Sequence, residues 1–266
     1  MEIKRRESYS IWSKAIFTTL SILLTFLIAS SLIIQAGVNP FYAYYHLFHG
    51  ALGDKLALTE TLVKFCPLLL CGLSVSIAFL CKFWNIGAEG QLYLGGLVSA
   101  LFGVYFAGAP SYLIIPLMIS SGFLAGASWA AIPAYLKARL NVDEVVTTLL
   151  GNWIVYFATS AILYGPWKNP VTGWPESPPI IEASRLPKLV PGTRLHLGVV
   201  FAIIIAVIYY VIYNKTMWGL ELKAIGSNPR AAEIRGIKVF RNFILAAILS
   251  GGIAGLAGVF EVAGIY

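Results

Sequence analysis

The sequence predicts an all-helical, multi-pass integral membrane protein. Of its 266 residues, 58% are hydrophobic and only 12% carry a formal charge, whereas charged residues make up about a quarter of a typical soluble domain. The apolar residues gather into runs close to the roughly 20 residues that a helix needs to cross a bilayer. Because backbone groups inside lipid must be hydrogen-bonded within their own segment, these runs are expected to be helices.

Apolar runs of spanning length predict about seven transmembrane helices, at residues 15–36, 61–80, 85–107, 112–136, 145–164, 196–213 and 242–266. The first run is longer than the roughly 7–15 apolar residues of a signal peptide, so we expect a retained helix. Between the first two runs, the aromatic stretch FYAYYHLF within residues 39–60 predicts a helix lying at the membrane surface.

Local signals predict where several helices begin. Thr59 or Thr61 is suited to cap the second spanning helix, Asn85 the third and Asn141 the fifth, because short polar side chains accept hydrogen bonds from the first turn. The last helix contains small residues whose spacing favours close helix packing in lipid. These residues are Gly251, Gly252, Gly255 and Gly258.

The distribution of basic residues predicts the orientation. With the amino terminus inside, 13 of the 19 Lys and Arg residues fall on the cytoplasmic side, the side where they are normally enriched. Seven of the 13 prolines lie in residues 165–195, which therefore form an ordered external loop rather than a span. Residues 214–241 then form a cytoplasmic loop. We expect a plasma-membrane protein with a cytoplasmic amino terminus.

Several functional classes are not supported by the sequence. The net charge of +7 is scattered between apolar runs, so a nucleic-acid partner is not expected and the lipid bilayer explains the charge better. No GxxxxGK[ST], HExxH or GxSxG motif occurs. The three cysteines occur singly, without metal-ligand spacing. We expect no catalytic residue, no metal site and no cofactor bound by this chain.

A short basic segment precedes the last helix. Asn228 is suited to cap a helix, Pro229 to its first position, and Gly236 to end it in the left-handed conformation. The helix is too short and too polar to span a bilayer, so it should lie at the surface and present its charges to a partner. An ordinary cytoplasmic connector carrying positive-inside charge would have the same composition.

A second candidate site lies at the start of the third predicted span. Glu89 stands within one turn of an apolar helix, and an ionisable group at membrane depth suggests a functional site. Asn85, Gln91 and Tyr93 offer hydrogen bonds to a cargo in a translocation pathway. The alternative is that Glu89 complements the helix dipole near the surface and pairs with Lys82.

Asn152, in the fifth predicted helix, is a further pathway candidate. A buried amide in a membrane helix also commonly bonds to a neighbouring helix, so a purely structural role is the alternative.

Five stretches of the sequence carry a resemblance when taken together: LTETLVKFCPLLLCGL, FWNIGAEGQLYLGGL, DEVVTTLL, LYGPWKNP and GLELKAIGSNPRAAEIRGI. They resemble the membrane subunit of ABC importers for nucleosides and simple sugars, within the ribose and branched-chain amino-acid permease superfamily. The resemblance implies a permease driven by ATP and Mg²⁺ on separate cytoplasmic ATPase subunits. It also implies a second permease subunit and an extracellular substrate-binding protein.

The resemblance gives the short basic segment a role as the helix that couples the permease to its ATPase. Ala231, Ala232 and Gly236 match the core of the family's signature, and Arg230 stands where the signature has Glu. The coupling residues are expected to be Asn228, Pro229, Arg230, Ala231, Ala232, Glu233, Arg235 and Gly236.

Two alternatives to a nucleoside or sugar cargo stay open. One is a branched-chain amino-acid permease of the same superfamily, and the other is an ion-coupled secondary transporter using Glu89 or Glu261. Because members of the family usually continue through further helices, we also expect the family fold to be incomplete at the carboxyl end.

Overall fold

The computed structural model describes residues 10–106 and 108–265, in which the backbone forms ten α-helices and one short 3₁₀ turn. The α-helices are α1 (Ile11–Gln35), α2 (Pro40–Leu52), α3 (Lys55–Leu80), α4 (Ala88–Tyr105), α5 (Ser111–Leu140), α6 (Glu144–Tyr164), α7 (Gly198–Lys215), α8 (Met217–Ser227), α9 (Pro229–Ile234) and α10 (Val239–Ile265). The described backbone has no strand, only an isolated bridge between Lys188 and His196. The predicted all-α class is confirmed.

Six of the described helices, α1, α3, α5, α6, α7 and α10, are long and apolar enough to cross a membrane. The prediction of about seven also counted residues 85–107. In that range the structure has α4 (Ala88–Tyr105), which has only 18 residues and has Glu89 and Gln91 near its start. The polar start lowers its apolarity, so the described part of the chain has six candidate spans and one shorter, less apolar helix.

The observed caps differ from the predicted ones. The α3 helix begins at Lys55 rather than near Thr61, and the Asp54 carboxylate accepts a hydrogen bond from the Ala57 amide at 2.7 Å. Asp143 caps α6 by accepting from the amides of the residues two and three positions later. Asn141 instead ends α5 in the left-handed conformation, with φ +52°. The predictions for Thr59, Thr61 and Asn141 were therefore wrong.

Residues 214–241 contain two helices, not the single short helix that the sequence predicted. The unforeseen one is α8, whose start is capped by the Thr216 hydroxyl through the Gly219 amide at 3.2 Å. The foreseen one is α9, and the Asn228 side chain accepts from the Ala231 amide at 3.1 Å. Gly236 follows with φ +83°. The local signals for α9 thus correspond to its observed ends.

The chain divides into two compact units, residues 1–58 and residues 59–266. In the first unit, α2 begins at Pro40 with Asn39 as its cap, and it lies against α1. The Tyr44 hydroxyl donates to the Phe26 carbonyl at 2.6 Å, and the two rings meet edge to face. Residues Lys4, Arg5 and Arg6, which entered the orientation prediction, lie outside the described residues, as do predicted helix ends 107 and 266.

In the second unit, α10 is the central helix and packs against both α4 and α5. Glycines on all three helices permit this close approach, because a Cβ added at Gly255 would collide with the Gly122 carbonyl. A Cβ at Gly258 would likewise collide with the carbonyl of Leu92. The small residues that the sequence indicated in the last helix are thus at helix contacts, as expected for packing in lipid.

The proline-rich residues 165–195 contain no spanning helix and are tied to the bundle. The Ser184 hydroxyl and the Ile181 amide both donate to the Gly103 carbonyl at the end of α4. The Leu186 amide donates to the Ala263 carbonyl in α10 at 2.8 Å. These bonds make the segment an ordered cover over one end of α4 and α10.

Candidate functional site

A buried polar cluster lies where the chain passes from α3 to α4. Asn85 is fully buried, and its amide nitrogen donates to Gln91 Oε1 at 3.0 Å and to Ser250 Oγ at 2.9 Å. The Gln91 amide nitrogen returns a hydrogen bond to Asn85 Oδ1 at 3.0 Å. Both amides are therefore used to fix the connecting segment. Asn85 is not the helix cap that the sequence predicted, since α4 begins three residues later.

Asn152 joins α6 to the start of α4. Its Oδ1 accepts from the Gly90 amide at 2.8 Å, and its Nδ2 donates to the Ile86 carbonyl at 2.9 Å. The first turn of a helix has amides without partners inside the helix, and here another helix supplies one acceptor. A Cβ at Gly90 would lie 2.8 Å from Asn152 Oδ1. These contacts match the structural alternative that the sequence left open for Asn152.

An open cavity of about 310 Å³ lies between α4 and α6, and we call it the Glu89 cavity. Glu89 and Tyr93 are one turn apart on α4 and both are exposed. The remaining lining residues belong to α6: Leu149, Asn152, Trp153 and Tyr156. Three of the five pathway residues indicated by the sequence thus meet in one cavity, and Asn85 and Gln91 do not line it.

Aromatic rings form much of this cavity. The Tyr93 and Tyr156 rings lie edge to face with centroids 6.3 Å apart, and Trp153 meets Tyr156 at 6.0 Å in the same manner. The Glu89 carboxylate is the charged group among the lining residues. Lys82 and Glu89 form no ion pair with each other in the described structure, so the pairing considered from the sequence is not observed.

A second cavity, of about 340 Å³, shares Tyr93 with the first, and we call it the Trp167 cavity. It is bounded by α4, the end of α6, the end of α10 and the first part of the proline-rich segment. Its lining residues are Leu92, Tyr93, Gly96, Leu97, Ala100, Thr159, Leu163, Trp167, Pro175, Glu176, Ser177, Gly258, Glu261 and Val262. Both volumes lie in the range of about 300–1,000 Å³ typical of small-molecule sites.

The charged groups of the two cavities are acidic. Glu261 accepts from the Lys64 ammonium at 3.1 Å. Glu176 accepts through one oxygen, Oε1, from Asn169 and Thr172 at 3.1 and 2.8 Å. No Lys or Arg lines either cavity in the part of the chain that the structure describes. The cavities therefore offer aromatic surface and hydrogen-bond acceptors rather than anion-binding groups.

The predicted coupling segment is exposed except at one position. Asn228, Pro229, Arg230, Ala231, Glu233, Arg235 and Gly236 are exposed. Ala232 is 3% exposed and belongs to the core of the chain, so its small size is explained by internal packing. Ile234 is 87% exposed at the end of α9. Single exposed apolar side chains are common on protein surfaces, so the exposure of Ile234 does not by itself assign it a partner.

Several residues of these sites were not indicated by the sequence, among them Ile234, Thr159 and Trp167. The sequence around Ile234 does not distinguish it from an ordinary apolar position, although its side chain lies on the side of α9 away from the core. Thr159 and Trp167 line the Trp167 cavity, but no recognisable sequence motif contains them. Only the folding of residues 165–177 back towards α4 brings them together.

Comparison with known proteins assigns most of the chain to one family. Residues 57–265 match the family model described as the branched-chain amino acid transport system permease component. The nucleoside ABC transporter permease protein NupB of Lactococcus lactis is 33% identical over 92% of this chain and 70% of its own length. No solved structure shows a significant match to the chain.

Two further relatives have comparable similarity. The glucose ABC transporter permease protein TsgB13 of Haloferax volcanii is 32% identical over 99% of this chain and 72% of its own length. The guanosine ABC transporter permease protein NupP of Bacillus subtilis is 33% identical over 93% of this chain and 71% of its own length. The relatives' names thus include both nucleosides and a sugar.

Proposed function

The chain belongs to the family of permease components of branched-chain amino acid transport systems, and from this membership we propose that it imports a nucleoside or a related simple sugar. It does so as the membrane subunit of an ABC transporter, with ATP and Mg²⁺ bound by separate ATPase subunits. The observation that carries the cargo class is the pairing of aromatic rings with carboxylates in the Glu89 and Trp167 cavities.

The lining of these cavities suits an uncharged cargo with hydroxyl groups. Tyr93, Trp153 and Tyr156 offer ring surfaces to a nucleobase or to the apolar face of a sugar. The Glu89 carboxylate and the Asn152 amide oxygen accept hydrogen bonds from hydroxyl or amino groups. The relatives named for nucleosides, guanosine and glucose support the same class.

A branched-chain amino acid is the alternative cargo, and the family's description names it. An amino-acid zwitterion needs a positive or amide-rich partner for its carboxylate. The cavities have carboxylates but no Lys or Arg among their described lining residues. This charge pattern favours the neutral, hydroxylated cargo.

The Glu89 cavity is proposed as part of the translocation pathway. A carboxylate facing hydrocarbon is costly, so intramembrane acidic groups usually face a polar cavity or another protein surface. Glu89 and Tyr93 are exposed on the side of α4 that faces α6. A second permease subunit, identical or homologous, would cover this side and enclose the pathway.

The α9 helix is proposed to contact the ATPase from the cytoplasmic side. Arg230, Glu233 and Arg235 are exposed and offer charges of both signs, and Ile234 offers an apolar anchor. This orientation requires α4 to cross the membrane as well, as the sequence predicted: six crossings, by α1, α3, α4, α5, α6 and α7, then separate the amino terminus from α9. With α9 in the cytoplasm, the amino terminus is therefore also cytoplasmic and residues 165–195 face outward. That outer segment then meets the extracellular substrate-binding protein.

Uptake driven by ATP tests the coupling role. We expect Ile234→Ser to reduce ATP-driven guanosine uptake about tenfold, because truncating a central residue of an interface costs more than about 1 kcal/mol and about 1.4 kcal/mol corresponds to a factor of ten. Because Ile234 is exposed, membrane insertion and the melting temperature should not change. The matched control is Leu140→Ser, which removes another exposed apolar side chain. Equal uptake by the two variants would contradict the proposed contact.

Replacement of the Glu89 carboxylate tests the translocation pathway, and uptake by the wild type tests the energy source. We expect Glu89→Gln to change the relative uptake of guanosine, ribose and leucine, because it removes a negative acceptor from the pathway. An unchanged profile would remove Glu89 from the pathway. Wild-type uptake that follows a proton or sodium gradient and ignores ATP would favour an ion-coupled transporter instead.

A further inference from the structure

An apolar groove of about 130 Å³ lies between α3, α7, α8 and α10, and we call it the Tyr213 groove. Its described lining residues are aliphatic, aromatic or glycine, and none of them has a charged or amide side chain. The hydroxyl group of Tyr209, on the α7 wall, is paired with the Ser76 hydroxyl at 2.6 Å. The groove therefore suits a hydrocarbon and differs in this from the Glu89 and Trp167 cavities.

The groove lies at the depth of one leaflet of the bilayer. Three of its four walls, α3, α7 and α10, are candidate spans. Its α7 wall runs from Ile205 to Tyr213, which is about 12 Å at the rise of an ideal helix, close to half of the roughly 30 Å hydrocarbon core. One end of the groove is at Leu80, where α3 ends, and at Tyr213, near the end of α7. In the orientation proposed above, this is the cytoplasmic leaflet.

The open side of the groove is apolar as well. Ile208 on this side is 51% exposed, and Trp218 and Tyr213 are half-buried. In a membrane, such a surface meets lipid chains. An apolar cavity of about 150 Å³ is large enough for a benzene molecule, so a groove of this size accommodates a section of one acyl chain.

Two lysines stand at the end of the groove that α8 closes. The Lys223 ammonium lies 3.5 Å from the centroid of the Tyr213 ring, which forms part of the wall. Lys215 is exposed in the last turn of α7. Neither lysine forms an ion pair within the part of the chain that the structure describes, whereas Lys137 at the end of α5 is paired with Glu144 at 2.8 Å. The end of the groove is therefore positively charged without compensation from a carboxylate.

We propose that the Tyr213 groove binds one anionic phospholipid. An acyl chain lies between α3 and α7, and the phosphate group meets the ammonium groups of Lys215 and Lys223. Basic residues beside a span attract the anionic lipids of the cytoplasmic leaflet, and the apolar groove next to them fixes the chain of the same molecule. This site goes beyond the proposed function, because it involves neither the cargo nor a soluble partner.

Quenching of tryptophan fluorescence by brominated lipid tests the site on the purified full chain. The chain is reconstituted into phosphatidylcholine vesicles that contain a minor fraction of either brominated phosphatidylglycerol or brominated phosphatidylcholine. Trp218 lines the groove, so the quenching that disappears in Trp218→Phe reports lipid at this site. We expect that share to be several-fold larger with brominated phosphatidylglycerol. The control is Trp12→Phe, at an exposed position of α1, whose share should be equal for the two lipids.

Neutral replacements of the lysines test the recognition of the headgroup. Lys215→Gln and Lys223→Gln should each lower the preference for phosphatidylglycerol at Trp218 roughly fivefold, the usual worth of one lysine near an anionic surface. The matched control is Lys14→Gln, which removes an exposed lysine of α1 and changes the net charge by the same amount. It should leave the preference unchanged.

A larger side chain at the open side tests the place of the acyl chain. Ile208→Phe should fill the groove and remove the quenching that depends on Trp218. Because Ile208 is half exposed, the protein should still fold, which circular dichroism and size-exclusion chromatography check. The matched control is Ile204→Phe one turn earlier, at a position that is 47% exposed and does not line the groove. It should be quenched as the wild type is.

The outcomes separate this inference from the proposed function. Equal quenching at Trp218 by the two lipids would show ordinary lipid contact and would overturn the site, as would quenching that does not depend on Trp218 with either lipid. Folded lysine variants that keep the full preference overturn it as well. None of these measurements involves uptake, so a permease without ATP-driven uptake of any nucleoside or sugar counts against the proposed function alone.

Discussion

Three amide side chains hold the beginning of α4 in place. Asn85 and Gln91 bond to each other, and Asn152 reaches across from α6 to bond Gly90 and Ile86. Amides are suited to this because each has both donors and an acceptor. The polar start of α4 is therefore satisfied by the protein, and Glu89 stays free to face the cavity.

Loss of the Asn152 amide should destabilise the protein. In Asn152→Ala, the Gly90 amide and the Ile86 carbonyl lose their partner, at a cost of about 1–3 kcal/mol for each group that stays unsatisfied. We expect a clearly lower melting temperature in detergent. The control is Asn214→Ala, whose exposed side chain donates to the Tyr210 carbonyl one turn earlier in the same helix. Equal melting temperatures would show that Asn152 does not hold α4.

A second single-residue effect concerns His196, which precedes α7. The side chain is 1% exposed and accepts from the Gly198 amide through Nδ1 at 3.2 Å. Burial, and to a smaller extent the nearby positive charge of Lys188, lowers the pKa of His196 from 6.5 to about 4. The imidazole is therefore neutral in the folded protein at neutral pH.

This shift predicts a loss of stability in acid. Between about pH 6.5 and pH 4 the unfolded state binds a proton at His196 that the folded state does not, so the free energy of unfolding falls as the pH falls. Above pH 6.5 this contribution is constant. His196→Asn should reduce the pH dependence of the melting temperature in that window, whereas His46→Asn, at an exposed position of α2, should not. Parallel curves for wild type and His196→Asn would contradict the prediction.

At the scale of elements, α10 is positioned by its contacts with α4 and α5. Glycines allow the three backbones to approach, and a Cβ added at Gly255 or Gly258 would meet backbone rather than a movable side chain. Helix association in lipid depends on such packing, because lipid chains are as apolar as the helices. The stability of the second unit therefore depends on the packing of α10 against α4 and α5.

A pair of glycine substitutions tests the role of the contact. Gly255→Ala should lower the free energy of unfolding by about 1–3 kcal/mol, the usual cost of overpacking, because the new methyl group would collide with the Gly122 carbonyl. The matched control is Gly72→Ala in α3, where a Cβ would meet nothing within 4 Å. The control should be neutral or stabilising by up to about 1 kcal/mol. A Gly255→Ala protein as stable as the control would contradict the packing argument.

At the scale of the whole molecule, the two segments proposed to contact soluble partners, residues 165–195 and α9, lie in different parts of the chain. Residues 165–195 cover the ends of α4 and α10, whereas α9 follows α7 and α8. One candidate span, α7, separates the two segments. The segments are thus expected on opposite sides of the membrane, which is what a permease needs to meet two soluble partners.

Labelling of single cysteines in intact cells tests this orientation. A membrane-impermeant maleimide should label Trp174→Cys from outside, and it should label Arg230→Cys only after permeabilisation. Both positions are exposed. The parent chain is the control, because Cys66 and Cys81 are buried and Cys71 is partly buried in α3, so it should label weakly. The reverse pattern would invert the topology and would contradict the coupling role of α9.

The sequence by itself determined the helical membrane class, most of the spanning segments and the ends of α9. These features depend on local composition and on capping residues such as Asn228 and Pro229, which act within a few residues of themselves. Only the tertiary structure decided that Asn85 bonds to Ser250 of α10 as well as to Gln91, and that Ala232 faces the core. It also brought Thr159 and Trp167 to one cavity. Contacts between helices far apart in the chain decide these features, and no local pattern records such contacts.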